Sequence, residues 1–329
     1  MNLSQILAIA IFALMFIAII IGKVHRYIPS LIGAGLVIVF VFLVVMRSPE
    51  ALTNVLNLGQ VAQLSFWPPG HEPLESRGVT WQTIIFIAGL MVTIEAMAEA
   101  GFFRWLCLYV AKLVHYKVVP ILIAFMILSG LLSMFIDSIT VMLFLATVTI
   151  ELSRMLKFNP VPMIIAQIFA ANTGGSATMS GDPPNIIIGT ALGFTFMDFV
   201  ENTGPIALAG MVVAIVYYFI SSRKQLSAQL ANQCQNAVAV YPQPRAAISN
   251  MRLFVLNTFV FILVIILLVT HAQTGISVAS VGVIAAMLVI LIYSNKVSHI
   301  LGRLDWRTLL FFIGLFVCVG ALEETGVLN

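Results

Sequence analysis

Asn172-Thr-Gly-Gly-Ser-Ala-Thr-Met-Ser-Gly-Asp-Pro-Pro-Asn185 is polar and rich in glycine and proline, yet apolar runs flank it on both sides, residues 161–171 and 186–196. Adjacent prolines and clustered glycines interrupt the helical hydrogen-bond ladder, so the stretch is expected to leave the helix. At about 1.5 Å per residue each flanking run covers roughly half a membrane span. An unwound polar segment cannot face lipid and is tolerated only where it lines a cavity enclosed by protein. The stretch therefore reads as the break of a discontinuous helix near the bilayer midplane, a binding-site architecture of secondary transporters.

The surrounding composition agrees. Hydrophobic residues make up 61% of the 329-residue chain and charged residues 9%, with a mean hydropathy of +1.08. The expected class is an all-α polytopic membrane protein. A net charge of +3 without a basic tract gives no footprint for nucleic acid. Cys107, Cys234 and Cys318 are scattered, with no CxxC, so no disulfide framework is expected. His25, His71, His115, His271 and His299 fall at loops or interfaces without metal-ligand spacing, and no metal site is expected. Residues 6–21 lack a basic lead and a cleavage site, which makes them a retained span rather than a signal peptide.

Spans are expected at residues 5–21, 28–46, 81–98, 203–220, 253–270, 276–293 and 306–322, with the broken helix at 160–196. Residues 102–116 carry Arg104 and Lys112 among apolar residues and read as an amphipathic helix in the interface. Residues 118–154 would make a straight helix about 55 Å long, too long for the bilayer. Their centre is polar (Ser133, Asp137, Ser138, Thr140), and only ten apolar residues, 141–150, separate it from Glu151. They read as a re-entrant helical hairpin with its tip at 135–140; the alternative is one tilted span with a buried polar spot. With the N-terminus outside, this topology leaves fourteen of the sixteen Lys and Arg residues in the cytoplasm, and only Arg47 and Arg77 outside. Residues 47–80 become an external loop turned at Pro68-Pro69-Gly70, and residues 221–251 a cytoplasmic linker.

Trp81-Gln-Thr-Ile-Ile-Phe-Ile-Ala-Gly-Leu-Met-Val92, continuing to Glu99-Ala-Gly101, recurs 225 residues later as Trp306-Arg-Thr-Leu-Leu-Phe-Phe-Ile-Gly-Leu-Phe-Val317, continuing to Glu324-Thr-Gly326. Five crossings in the first half would start the second on the opposite side, giving an inverted-topology repeat. Residues 1–220 then form the first repeat and 252–329 the start of a second, truncated one. The partners of hairpin 118–154 and broken helix 160–196 would follow Asn329, and repeat arithmetic gives an intact chain of roughly 445 residues.

Residues 172–189, with Gly181-Asp-Pro-Pro-Asn185 at their centre, resemble the signature of the ion transporter superfamily. The nearest branch holds arsenite permeases, D-type sodium/proton antiporters and the melanosomal P protein; citrate and dicarboxylate carriers are more distant. Ser133-Met-Phe-Ile-Asp-Ser-Ile-Thr140 is similar to the branch's Ser-x-Phe-Leu-Asp-Asn-x-Thr pattern, with Ser138 in place of the usual Asn. The resemblance implies a scaffold and a moving transport domain, often dimeric, with substrate and a coupling Na⁺ or H⁺ held between hairpin tip and broken helix. The expected location is the cell membrane of a bacterium or archaeon.

Asp137 and Asp182 are the carboxylates at the two breaks, where a buried Asp costs about 2.5–3.5 kcal/mol on insertion scales. Each has a structural alternative: Asp182 before Pro183 can cap the second half-helix, and Asp137 can bond free amides at the tip. Ser138, Thr140, Asn172, Thr173, Thr178 and Asn185, with carbonyls freed at Gly174 and Gly175, offer oxygens to an ion, or alternatively satisfy unwound backbone. Glu95 is deep in the third span and is a proton-relay candidate, or else a structural buried acid. Neither break contains Lys or Arg, which favours a neutral or weakly charged substrate or a bare cation. The expected function is secondary transport of an inorganic ion or small anion, such as arsenite or Na⁺/H⁺ exchange, or of citrate or a dicarboxylate. No cofactor and no catalytic residue is expected. An intramembrane aspartyl protease is the alternative of another class, but its Gly-x-Gly-Asp hallmark fails at Met179-Ser-Gly-Asp182. No phosphate-binding loop is present to use ATP.

Overall fold

The computed structural model describes residues 2–63, 66–67, 78–231, 242–294 and 296–328. The expected turn at Pro68-Pro69-Gly70, Arg77, and the centre of the expected linker with Cys234 lie outside the described residues. Among the described residues every regular element is helical, and seven helices are long and apolar enough to cross a membrane.

The chain opens with α1 (Leu3–Ile21) and α2 (Tyr27–Leu36), which runs on into a π-helix (Val37–Met46). The second span is thus one rod with two windings. Ser48 accepts from the Ala51 N–H to cap α3 (Pro49–Leu56), whose leading proline needs no hydrogen bond there; the short α4 (Leu58–Val61) follows. Then come α5 (Trp81–Glu99), α6 (Phe102–Leu113), α7 (Val118–Ser133), α8 (Ser138–Leu156), α9 (Val161–Gly175), α10 (Pro183–Leu192), α11 (Phe196–Asn202) and α12 (Gly204–Ala231). A 3₁₀ turn (Pro244–Ala247), α13 (Met251–Thr274), α14 (Val278–Ile292), α15 (Val297–Gly302) and α16 (Trp306–Glu324) complete it.

Two compact units result: Met1–Met91 with Gln273–Ile284 and Ser298–Asn329, and Val92–Ala272 with Ala285–Val297. In the first, helices cross where side chains vanish. A Cβ on Gly89 would lie 2.1 Å from the Gly282 carbonyl oxygen, and one on Gly314 would lie 2.4 Å from Ser30 Oγ. Ser30 Oγ donates to the Phe311 carbonyl at 2.7 Å. Such backbone-to-backbone approach is how apolar helices associate where burial from water offers no driving force. Gly89 and Gly314 hold the same place in the two copies of the Trp motif. The copies also share their limits: α5 and α16 each run 19 residues from the motif's Trp to its Glu. Each is followed by a left-handed glycine, Gly101 at φ 86° and Gly326 at φ 74°, a conformation other residues adopt at a cost.

The second unit holds the hairpin. Residues 134–137 separate α7 from α8, so residues 118–154 are two helices and not one tilted rod. α8 has 19 residues, more than the ten-residue arm expected, because Glu151 and Arg154 stay helical until Lys157 turns left-handed. Its far end returns to α6, the helix that leads into α7: Arg104 Nη2 meets Glu151 Oε1 at 2.7 Å, and Phe103 stacks on Phe144 at 4.5 Å. α6 is amphipathic as expected and buries Phe103, Cys107, Leu108 and Ala111. The last part of the stretch expected as linker packs on this corner, with Tyr116 Oη donating to the Pro242 carbonyl at 2.8 Å and Ser249 Oγ to that of Glu99 at 3.1 Å.

The discontinuous helix consists of α9 and α10. Its break is narrower than the fourteen-residue stretch, spanning only 176–182. Asn172–Gly175 remain helical, with the Ser176 N–H still donating to the Asn172 carbonyl at 3.2 Å. On the far side Pro183 and Pro184 open α10, where their missing N–H groups are not needed.

Candidate functional site at the hairpin tip and the helix break

The two gaps meet. Thr178 Oγ1 and Ser180 Oγ both donate to the Met134 carbonyl at the tip, the latter at 3.1 Å. The Gly181 N–H donates to Thr178 Oγ1 at 3.2 Å. Ser138 Oγ, in the first turn of α8, donates to Asp182 Oδ1 at 2.8 Å. Asn185 Nδ2 reaches back from α10 to the carbonyls of Gly175, 3.1 Å, and Thr178, 2.9 Å. Unwound backbone in an apolar setting must find such partners.

Glycine makes the approach possible. A Cβ on Gly174 would lie 2.2 Å from the Gly130 oxygen of α7, and one on Gly181 would lie 2.6 Å from the Ser133 oxygen. On Gly175 it would lie 2.5 Å from Asp182 Oδ2. The side chain of Asp182 therefore rests on the bare backbone of α9.

The two carboxylates divide their work contrary to the simplest sequence reading. Asp137 is the helix cap: its Oδ2 accepts from the Thr140 N–H at 3.0 Å and from Thr140 Oγ1 at 3.1 Å. Asp182 occupies the corresponding position before α10 but makes no capping bond, and turns its carboxylate to Ser138. The expectation that Asp182 caps α10 is corrected accordingly. The two charges repel one another across the tip, and no Lys or Arg occurs in residues 133–140 or 172–185 to offset them.

Asp137, Ser138, Thr140, Gly174, Gly175, Thr178, Asp182 and Asn185 are thus gathered at one place. Thr173 turns its hydroxyl into its own helix, donating to the Phe169 carbonyl at 2.8 Å, and Asn172 is exposed. Glu95 lies on α5, outside both gaps. Ser133, Ser180 and Gly130 were not among the candidate residues. Ser133 is fully buried, and its hydroxyl finds no hydrogen-bond partner among the described residues; its place at the head of the tip motif is the signal that marks it. Gly130 has none, because its partner is forty-four residues away.

Comparison with known proteins follows the same lines. The family model described as Citrate transporter matches residues 16–329. A 46 kDa membrane protein of Mycobacterium leprae is 30% identical over 334 residues, covering 99% of this chain and 70% of that protein. An uncharacterized transporter of Mycobacterium tuberculosis is 29% identical over 326 residues, again 99% and 70%. The human P protein is 32% identical over 164 residues, 49% of this chain and 19% of its own length, which agrees with the ion transporter superfamily branch read from the motifs. A match across nearly the whole chain, to the family model and to the mycobacterial relative alike, shows that this chain belongs to the citrate transporter family of membrane permeases.

Proposed function

We propose that the chain carries a small anion across the membrane, coupled to Na⁺ or H⁺, with the passenger held where the hairpin tip meets the helix break. The observation that carries this reading is the Ser138–Asp182 hydrogen bond at 2.8 Å, which joins two unwound segments from different helices around two carboxylates. Unwound backbone, neutral oxygens and half-helix ends are the means by which membrane carriers hold ions. The family description favours a carboxylate such as citrate. Because Asp137 and Asp182 face the site without a neighbouring Lys or Arg, such an anion needs its charge compensated by protons or by a co-bound cation. That same charge balance favours a second reading, an inorganic passenger such as arsenite or a bare cation in exchange for protons. Glu95 is a proton-relay candidate under either.

The test is flux through the full chain in proteoliposomes, with citrate, arsenite and Na⁺/H⁺ exchange assayed side by side under imposed pH and Na⁺ gradients. Gradient-driven accumulation of citrate is expected. Asp182→Asn is expected to reduce it at least about tenfold, equivalent to about 1.4 kcal/mol, while the protein still inserts and folds. Undiminished flux in that variant removes Asp182 from the mechanism.

A further inference from the structure

A row of buried polar side chains runs inside the hairpin toward the tip. Ser129, Ser133, Thr149 and Gln167 are fully buried and Ser153 nearly so. At the end of the hairpin where Arg104 pairs with Glu151, Ser153 and Thr149 lie one turn apart on α8. Thr149 Oγ1 accepts from Gln167 Nε2 of α9 at 2.8 Å. Ser129 Oγ of α7 donates to the main-chain carbonyl of Gln167 at 2.9 Å. One turn further along α7 stands Ser133, beside Gly181 and the carboxylate of Asp182. The side chain of Gln167 leans toward the start of α9, as helical side chains do, and so spans the distance between the α8 and α7 members of the row.

Two atoms of this row lack a hydrogen-bond partner among the described residues: Gln167 Oε1 and Ser133 Oγ. Both belong to fully buried residues, and both fall where the row has a gap of one helical turn. An apolar helix interface gains nothing from such atoms, and a buried polar atom in this setting calls for a partner that can donate and accept. Water meets that need and fits between groups one turn apart, provided two to four polar atoms surround it.

We propose that this row is a hydrated proton path from the Arg104–Glu151 end of the hairpin to the carboxylates at its tip. Waters held by Gln167 Oε1 and Ser133 Oγ bridge the hydroxyls of Ser153, Thr149, Ser129 and Ser133. A proton passes along them to Asp182, whose ionisable neighbour at the tip is Asp137 and whose hydrogen-bond partner is Ser138. Gln167 acts as a positioning residue that holds the water file between the two arms. The inference rests on the proposed transport at the tip for its purpose, but its physical content, water inside the hairpin, stands by itself.

Two measurements test it. The first needs no substrate: X-ray radiolytic footprinting of the full chain in lipid, in ¹⁸O-labelled water. Met163 lies one turn before Gln167 and Met126 one turn before Ser129, both fully buried. Water in the row oxidises both despite their burial, while Met97 of α5, equally buried and away from the row, stays unmodified. Met163 and Met126 as inert as Met97 would overturn the proposal. The second compares citrate counterflow, which needs no net proton movement, with citrate uptake driven by a pH gradient. Gln167→Leu and Thr149→Val are expected to keep counterflow within about twofold, to lower gradient-driven uptake at least about tenfold, and to flatten its pH profile. Equal loss of both activities marks the row as structural only and overturns the proposal, as does retention of both. Absence of citrate counterflow in the unsubstituted protein counts against citrate as passenger, and the footprint then decides the path alone.

Discussion

Asp182 has a glycine for a floor. Adding a methyl group at Gly175 places a carbon 2.5 Å from Asp182 Oδ2, so the carboxylate must lift away from α9 and from its bond with Ser138. Gly175→Ala gains about 1 kcal/mol of helix propensity and loses about 1–3 kcal/mol to overpacking. A small net loss in thermal stability in detergent is expected, with a much larger loss in uptake, because the displaced group is the one at the centre of the site. Uptake at the unsubstituted rate would show that Asp182 has room to spare. The residue scale is also where the sequence was least explicit. Asp182-Pro183 has the form of a helix start, and only the coordinates reveal that Asp137 takes the capping role while Asp182 does not. Both look alike in sequence because each precedes a helix, and which carboxylate bends back is decided by the opposite gap.

At the scale of elements, the tip and the break hold each other through hydroxyls. Thr178 both donates to the Met134 carbonyl and accepts from the Gly181 N–H. Thr178→Val keeps its shape and strands a buried N–H, for an expected cost of about 1–3 kcal/mol. Ser180→Ala leaves the Met134 carbonyl with its Thr178 partner and should cost about 0.5–1.5 kcal/mol. Thermal unfolding of the two variants should preserve that order; a reversal would mean that Thr178 is not the principal fastener.

The short α11 gives an element-scale dependence on pH. Thr195 donates to Asp198 through its N–H and its hydroxyl, at 2.7 and 2.8 Å, and those bonds hold the carboxyl below its usual range. The depressed group contributes stability above about pH 4, its ordinary value, and loses it as pH falls through the lowered one. Amide exchange across residues 195–203 is therefore expected to quicken under acid in the native protein and to lose that response in Asp198→Asn.

Element limits were largely legible. Trp81 and Trp306 announce two helices of equal length because the same starting residue, apolar register and stopping glycine recur in both. The width of the break was not, since Asn172–Gly175 stay helical only because Gly130 and Asp182 leave their backbone room. Nor was the length of α8, whose charged last turns remain helical beside Arg104.

At the scale of the whole molecule, the two copies of the Trp motif put a glycine at equivalent helix crossings. Gly314→Ala drives a carbon to within 2.4 Å of Ser30 Oγ, whose bond to the Phe311 carbonyl must then yield. An expected loss of about 1–3 kcal/mol in stability follows, and Ser30→Gly in the same chain should recover part of it by removing the obstructing hydroxyl. Thermal unfolding of the single and double variants checks this, and failure of the second change to help would place the strain in the backbone instead. The composition alone conveyed an all-helical membrane protein. Which helices meet was beyond it, because contacts such as Ser30 with Gly314 join residues far apart in the chain through atoms that carry no apolar pattern.

The fasteners between Met134, Thr178, Ser180 and Gly181 are uncharged. Mobile counter-ions screen exposed charges over a Debye length of about 8–10 Å near physiological strength, and they have little hold on neutral, enclosed bonds of this kind. Raising the ionic strength with choline chloride should leave the joint intact. Replacing choline by sodium at constant strength then separates specific occupancy from bulk screening, so a sodium titration reports the coupling ion with little interference from the scaffold.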